Sequence, residues 1–200
     1  MTGVLDKHGK LPGNGNLVLE LGSGTGRDLP DSVTVDVVDH PEVDVVGDVF
    51  EVLAAIPAGN VKSVYSRHFL EHVLDLVRLL AEIGRVLTPG GLFVGSVPHW
   101  SNPYFWSDPT HVRPFGLYSF SYFTSGSDFR RQVPTYTQSP KLEIQLIRLE
   151  FHSPHRGLNR LQRRFLEPWV NARRRHQELF EYHLARHIPI SDIRFELRRS

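Results

Sequence analysis

The sequence predicts an α/β three-layer sandwich, with a mostly parallel seven-stranded sheet and a helical insertion before the last strand. Three observations carry that expectation. Short apolar runs alternate with helix-forming stretches through the first hundred residues, the pattern of parallel strands joined by crossovers. The first strong run, Leu17–Val18–Leu19–Glu20–Leu21, passes directly into Gly22, Gly24 and Gly26. Such a turn lets backbone approach a ligand closely at the end of a buried strand. Near the end of the chain, Lys141–Phe151 and Ser191–Arg199 alternate apolar with polar residues, as half-buried strands do.

Residues 1–15 are rich in glycine and polar side chains and read as a loose lead-in. Strands are expected at about 16–21 and 33–37, with the glycine turn between them. Asp39–Glu42 is a turn with proline, and Asp44–Val46 a short third strand. A short helix over Phe50–Ile56 stops at Pro57, and Val61–Tyr65 is the fourth strand. Val73, Leu76, Val77, Leu80, Ile83, Val86 and Leu87 recur at helical spacing. Pro89–Gly90–Gly91 ends that helix, and Leu92–Val97 is the fifth strand. Prolines and aromatics then make residues 98–140 irregular but ordered, with a short helix around Leu117–Phe123. Between the last two strands, residues 152–190 carry two helices. One of them sets Leu158, Leu161, Phe165 and Trp169 along one side, with Arg156, Arg160, Arg163 and Arg164 around it.

Two hundred residues suit a single domain spanning 1–200, long enough to bury about 70% of the unfolded surface. Composition is that of an ordinary globular chain, 40% apolar and 22% charged. Cysteine is absent, so disulfides and thiolate metal sites are excluded. The first ten residues lack the apolar core of a signal peptide, and a cytoplasmic location is the default expectation. The net charge of +1 hides an asymmetry. Residues 1–150 hold a balance of −5 and residues 151–200 one of +6. From Glu20 to Glu51 the only base is Arg27, an acidic stretch that suits a cationic ligand and gives no stripe for nucleic acid.

The glycine spacing narrows the ligand. A dinucleotide fingerprint needs glycine where Arg27 stands, and no Walker loop occurs. The remaining pattern, Glu20-x-Gly22-x-Gly24-x-Gly26, resembles the first motif of the class I S-adenosylmethionine (SAM) dependent methyltransferases. Val33–Asp36, Val45–Val49, Tyr65–Val73, Arg85–Gly91 and Ser107–Phe115 are similar to later segments of that family, in the expected order. One departure is clear: only Arg27 to Ser32 separate the glycine turn from the second strand, too few for more than about one helical turn. The resemblance implies a Rossmann-like fold, SAM as cofactor and a cofactor-binding part of about 16–97. Segments of about 98–140 and 152–190 would then cover the acceptor. It also implies cofactor contacts at Glu20, Gly22, Ser23, Gly24, Gly26, Asp36, Asp48, Val49 and His68. Asp36 is the residue for the ribose hydroxyls, with Asp39 as its rival.

The expected activity is methyl transfer to a small-molecule acceptor at oxygen or nitrogen by direct displacement, with a base to remove the acceptor proton. His111, held between Pro109 and Pro114, is the first candidate base, with Asp108 to orient it and His99 in reserve. Both histidines flank the aromatic segment after the fifth strand, where an acceptor pocket or a local mini-core is expected. The alternative readings are a SAM-binding protein with lost or regulatory activity, and a binding module without cofactor. His68–Phe69–Leu70–Glu71–His72 also matches the H-x-x-E-H zinc signature, which needs both histidines on one helical face. Because a strand ends just before His68, no metal is expected. The basic stretch 158–175 is either a cover packed on the sheet or an interfacial helix on anionic lipid. The sequence leaves the oligomeric state open.

Overall fold

A computed structural model describes residues 3–11, 15–125, 129–134, 136 and 141–200. Parts of the expected lead-in (residues 1–2 and 12–14) and of the irregular segment (126–128, 135 and 137–140) lie outside the described residues. Eight strands share one sheet: β1 (Leu5–Asp6), β2 (Leu17–Leu21), β3 (Val33–Asp36), β4 (Val45–Val46), β5 (Val61–Arg67), β6 (Leu87–Pro98), β7 (Leu142–Glu150) and β8 (Asp192–Arg199). Their order is β1-β4-β3-β2-β5-β6-β8-β7. From β4 to β6 neighbours run parallel; β1 on one side and β8 and β7 on the other run antiparallel. The seven expected strands are present. The eighth, β1, was missed because its two residues, Leu5 and Asp6, carry no periodicity.

The central strand β2 pairs with β3 on one side and β5 on the other. Chain order reverses there, and ligands of open α/β sheets sit beyond the carboxyl ends of the strands at such a point. Leu19, Leu21, Val33, Val35, Val61 and Val64 are buried, as continuous apolar runs in a two-faced sheet require. Helix α1 (Val49–Ala54) starts one residue before the expected position because Asp48 caps it, accepting from the Phe50 N–H at 2.8 Å. Helix α2 (Leu76–Val86) is capped by Asp75, so Val73 and Leu74 lie outside it. Its buried face is Leu76, Leu79, Leu80, Ile83 and Val86. Each such side chain contributes roughly 1.5–3 kcal/mol, so Leu80→Asp would break the contact with the sheet. From the same helix, Arg85 donates to the carbonyls of Ile56 (2.8 Å) and Leu53 (2.7 Å), tying the end of α1 to α2.

Pro89–Gly90–Gly91 does not separate helix from strand as expected. Strand β6 begins at Leu87, opposite Val61, and the turn is absorbed as an irregularity before Leu92 meets Ser63. At the far edge, residues 156–171 form one continuous helical rod. It consists of α3 (Arg156–Leu161), a π-helical turn (Gln162–Leu166) and α4 (Glu167–Asn171), with α5 (Arg174–His183) after it. Asn171 exchanges two hydrogen bonds with the Leu149 backbone, while Arg174 and Gln177 donate to the Ile147 carbonyl. The free edge of β7 is thereby occupied by side chains, which blocks further strand pairing. Among the described residues no helix is long and apolar enough to cross a membrane.

Candidate cofactor and acceptor site

The glycine turn leaves β2 with Gly22 at φ +68° and Gly24 at φ +57°, a region L side chains rarely adopt. The two glycines differ in their surroundings. A Cβ on Gly22 would lie 2.5 Å from Cδ2 of Phe69, whereas one on Gly24 would meet open space. The Gly22 N–H donates to the Val35 carbonyl at 2.9 Å and the Gly24 N–H to the Asp36 carboxylate at 2.8 Å. Gly26 closes the turn onto the Ser23 carbonyl. The Ser23 hydroxyl is buried without a hydrogen-bond partner.

Two cavities meet here, and Gly22 and His68 line both. The smaller, about 320 Å³, lies among residues 20–25, Asp28 and Arg67. The larger, about 730 Å³, runs between residues 35–38, residues 47–50 and Phe69, and reaches His72, Val73, Leu74 and Thr110. Together they form a groove within the range of small-molecule sites. It fits a nucleoside with a polar tail: an unpartnered hydroxyl and bare backbone in one part, apolar walls with two acids in the other.

Most of the residues expected to touch a cofactor line this groove, each held by local bonds. The Glu20 carboxylate accepts from the N–H groups of Asp28 (2.8 Å) and Leu29 (3.2 Å) and from the Ser32 hydroxyl (2.8 Å). It thus holds the short connection that stands where a helix would be. Asp36 lines the larger cavity and ties Gly24 and the Val38 N–H to the end of β3. Its rival Asp39 turns outward to Lys7, 2.5 Å away. Asp48 caps α1 and, with Val49, lines the larger cavity. Gly26 lines neither cavity.

His68 adopts φ +51°, the one described non-glycine residue with positive φ. Strand β5 runs two residues further than expected, to Arg67, and the His68 N–H donates to the Ser96 carbonyl at 3.0 Å. Its ring lies between two carboxylates, with Nδ1 3.4 Å from Glu71 and Nε2 3.5 Å from Asp192. Both are ion-pair distances without hydrogen-bond alignment, since the facing oxygens have no hydrogen-bond partner. Interaction with Glu71 is the main reason the His68 pKa is raised, and burial raises that of Asp192.

The loop of residues 108–113 docks on the single 3-10 turn Leu70–His72. Val112 N–H donates to the Glu71 carbonyl (2.9 Å) and Arg113 to the Leu74 carbonyl (2.8 Å). The Thr110 hydroxyl donates to Asp108 (2.6 Å) and lies 3.0 Å from Nδ1 of His72. His111, the expected base, does not line the groove. It stacks on Phe105, meets His72 edge-on and donates from Nδ1 to the Phe105 carbonyl at 2.8 Å. Asp108 stands 3.7 Å from its Nε2.

His99 corrects a further expectation. It is fully buried, with Nδ1 2.8 Å from the Ser101 hydroxyl and Nε2 3.1 Å from Glu181, and it lines no part of the groove. Its place is explained by the sheet end, where it bridges to Phe115 and its N–H donates to Ser191. Part of the aromatic segment forms a mini-core: Phe105, Phe115 and Phe120 are buried and Phe120 packs on Phe195, whereas Tyr104 and Trp106 are exposed. The sequence reading passed over Phe69, Thr110 and Asp192 as site residues. Thr110 and Phe69 stood inside matched segments, while Asp192 had no local signal.

The family model for the methyltransferase domain matches residues 4–173. Among curated proteins none matches the chain. Of solved structures, a SAM-dependent methyltransferase from Archaeoglobus fulgidus superposes with a TM-score of 0.56 at 17% identity, covering 92% of this chain and 86% of that one. A protein from Galdieria sulphuraria provisionally described as a sarcosine dimethylglycine methyltransferase gives 0.53 at 14% identity, with 94% and 80% covered. One from Bacillus halodurans provisionally described as a methyltransferase gives 0.52 at 14% identity, with 93% and 94% covered. At such identities the superpositions show the fold, while the family match spans most of the chain. A glycine turn at the switch point of the sheet, a groove on both sides of it and that match agree: the chain belongs to the class I SAM-dependent methyltransferases.

Proposed function

We propose that the protein methylates a small-molecule acceptor at oxygen or nitrogen. The observation that carries this reading is the groove of two cavities joined at Gly22 and His68. When bound, SAM supplies an electrophilic methyl group on a sulfonium. Asp36 would hold the ribose hydroxyls, and Asp48, Val49, Phe50 and Phe69 would flank the adenine. Ser23, the Gly24 backbone and Asp28 surround the smaller cavity, which suits the amino-acid tail. His68 then stands at the junction, beside the transfer point.

Direct displacement needs no covalent intermediate on the protein, so these residues orient the reactants and exclude water. The acceptor enters at the end of the groove where His68, His72 and Thr110 are the polar groups, and the proton it loses passes to water there. Asp108 and His111 act through these residues: Asp108 fixes Thr110, Thr110 fixes His72, and His111 supports the ring from behind. The test is release of S-adenosylhomocysteine from SAM with panels of small alcohols, phenols and amines. Turnover restricted to peptide or nucleic-acid acceptors would overturn the reading.

A second part of the reading concerns the insertion. Leu158, Leu161, Phe165 and Trp169 are 46%, 57%, 61% and 44% exposed, so a packed cover does not account for them. They line an open cavity of about 570 Å³ with Ile188 and Pro189. Arginines 156, 160, 163 and 164 share this rod. Exposed large apolar groups interleaved with cations support peripheral contact with anionic lipid through 158–175.

A further inference from the structure

Glu71, His72 and His111 lie where a sequence motif and a distant loop meet, and each is oriented by a different bond. One ring nitrogen of each histidine and a carboxylate oxygen of Glu71 lie within 4.8 Å of one another. Glu71 is fully buried, and neither of its carboxylate oxygens has a hydrogen-bond partner. An unpartnered buried carboxylate is costly, and the His68 ring, 3.4 Å from Oε1, faces it without forming a hydrogen bond, so both oxygens remain open to an ion. Nε2 of His111 stands 4.0 Å from Oε1, too far for a hydrogen bond but close enough to share an ion.

The tautomers follow from the partners. The Phe105 carbonyl is only an acceptor, so Nδ1 of His111 carries a proton, while Nε2, 3.7 Å from Asp108 and 4.0 Å from Glu71, makes no hydrogen bond. Thr110 gives its hydroxyl proton to Asp108, so it accepts from Nδ1–H of His72, again leaving Nε2 as the uncommitted nitrogen. In each ring Nδ1 is therefore committed to a bond, and Nε2 is the nitrogen left to take a ligand. In metal sites the far nitrogen of a ligating histidine is usually held by a carbonyl, carboxylate or similar group, which is the arrangement found at both rings.

We propose that Glu71, His72 and His111 bind one divalent first-row transition cation, such as Zn²⁺ or Mn²⁺. Two imidazoles and one carboxylate suit these ions better than Mg²⁺ or Ca²⁺, which take oxygen ligands. This is not the helical H-x-x-E-H arrangement. His68 lies outside the 3-10 turn, and the second histidine comes instead from the docked loop. Three protein ligands leave coordination positions free, and His72 lines the groove. A bound ion there would hold an acceptor hydroxyl and lower its pKa, a role that rests on the methyl-transfer reading above. Binding of the ion itself does not depend on that reading.

The test uses the full chain without an affinity tag, stripped by chelator and titrated with Zn²⁺ by calorimetry and with Co²⁺ by its visible absorption. One ion per chain is expected. Glu71→Gln and His111→Ala should each weaken binding by about tenfold or more. His176→Ala, at the remote stack on Trp169, should leave binding unchanged. Should Glu71→Gln fail to fold, His72→Asn serves in its place. Zinc far below one per chain, or binding indifferent to these substitutions, would overturn the proposal. Heat with SAM, measured on the stripped protein, is a separate readout: SAM binding without ion binding sinks this inference alone, and ion binding without SAM sinks the cofactor placement alone.

Discussion

The Gly24 N–H donates to the Asp36 carboxylate across 2.8 Å, joining the turn after β2 to the end of β3 before any ligand arrives. Asp36 therefore shapes the groove as well as lining it. Asp36→Ala should weaken SAM binding by about tenfold or more in calorimetry, about 1.4 kcal/mol, while Asp39→Ala changes it little. Equal losses from both substitutions would mean that the acid at 36 has no special place.

The two positive-φ glycines of the turn after β2 should respond differently to alanine. At Gly24 the added methyl enters open space, so only the backbone conformation opposes it, at roughly 1–2 kcal/mol. At Gly22 the same cost adds to a collision with Phe69, and overpacking of that kind costs about 1–3 kcal/mol more. Urea unfolding of the two variants should rank Gly22→Ala as clearly the less stable. If the order is reversed, Phe69 is not held against the turn.

Stability on the acid side should depend on Asp44, a buried residue beside Lys10 and Arg27, each 2.9 Å away. Burial raises its pKa, but the Lys10 hydrogen bond, the Thr34 N–H and Arg27 outweigh it and hold the carboxyl at about 2, below the ordinary 3.8. A folded-state pKa below the unfolded one gives stability that is present above about pH 4. That stability is lost as pH falls toward 2. Unfolding measured across this window should fall more steeply for the native chain than for Asp44→Asn; parallel curves would refute the assignment.

His99 is expected to behave as a structural residue. With both ring nitrogens engaged and no exposure, His99→Ala should cost on the order of 2–4 kcal/mol of stability. SAM affinity of the folded fraction should be retained. A stable variant with abolished turnover would return His99 to the catalytic candidates.

For the insertion, co-sedimentation with vesicles containing anionic lipid decides the matter. Binding should weaken with salt and in Trp169→Ala or Phe165→Ala. Equal binding to neutral vesicles, or no binding at low salt, would leave the arginines unexplained by lipid.

The order of the strands and the glycine turn were legible because burial on both faces imposes long apolar runs, as in Leu17–Leu21. Helix starts were legible only to within a few residues, because Asp48 and Asp75 set them through caps that periodicity does not register. The site was legible where it follows the strands, at Gly22, Asp36 and His68. It was illegible where loops from far apart meet. Nothing in the spacing of His111 shows that it turns to the Phe105 carbonyl, and nothing near Asp192 shows that it faces His68.

Thr110 reaches His72 across 38 positions of sequence, and few bonds hold their loops together. The strands beneath are far more heavily buried. On warming, such a contact opens before the sheet does, because local opening costs less than global unfolding where packing is thin. The contact between Thr110 and His72 should therefore open at a lower temperature than the sheet. Loss of turnover on heating should precede loss of secondary structure, and any ligand that bridges residues 71–72 and 111 would bring the two transitions together.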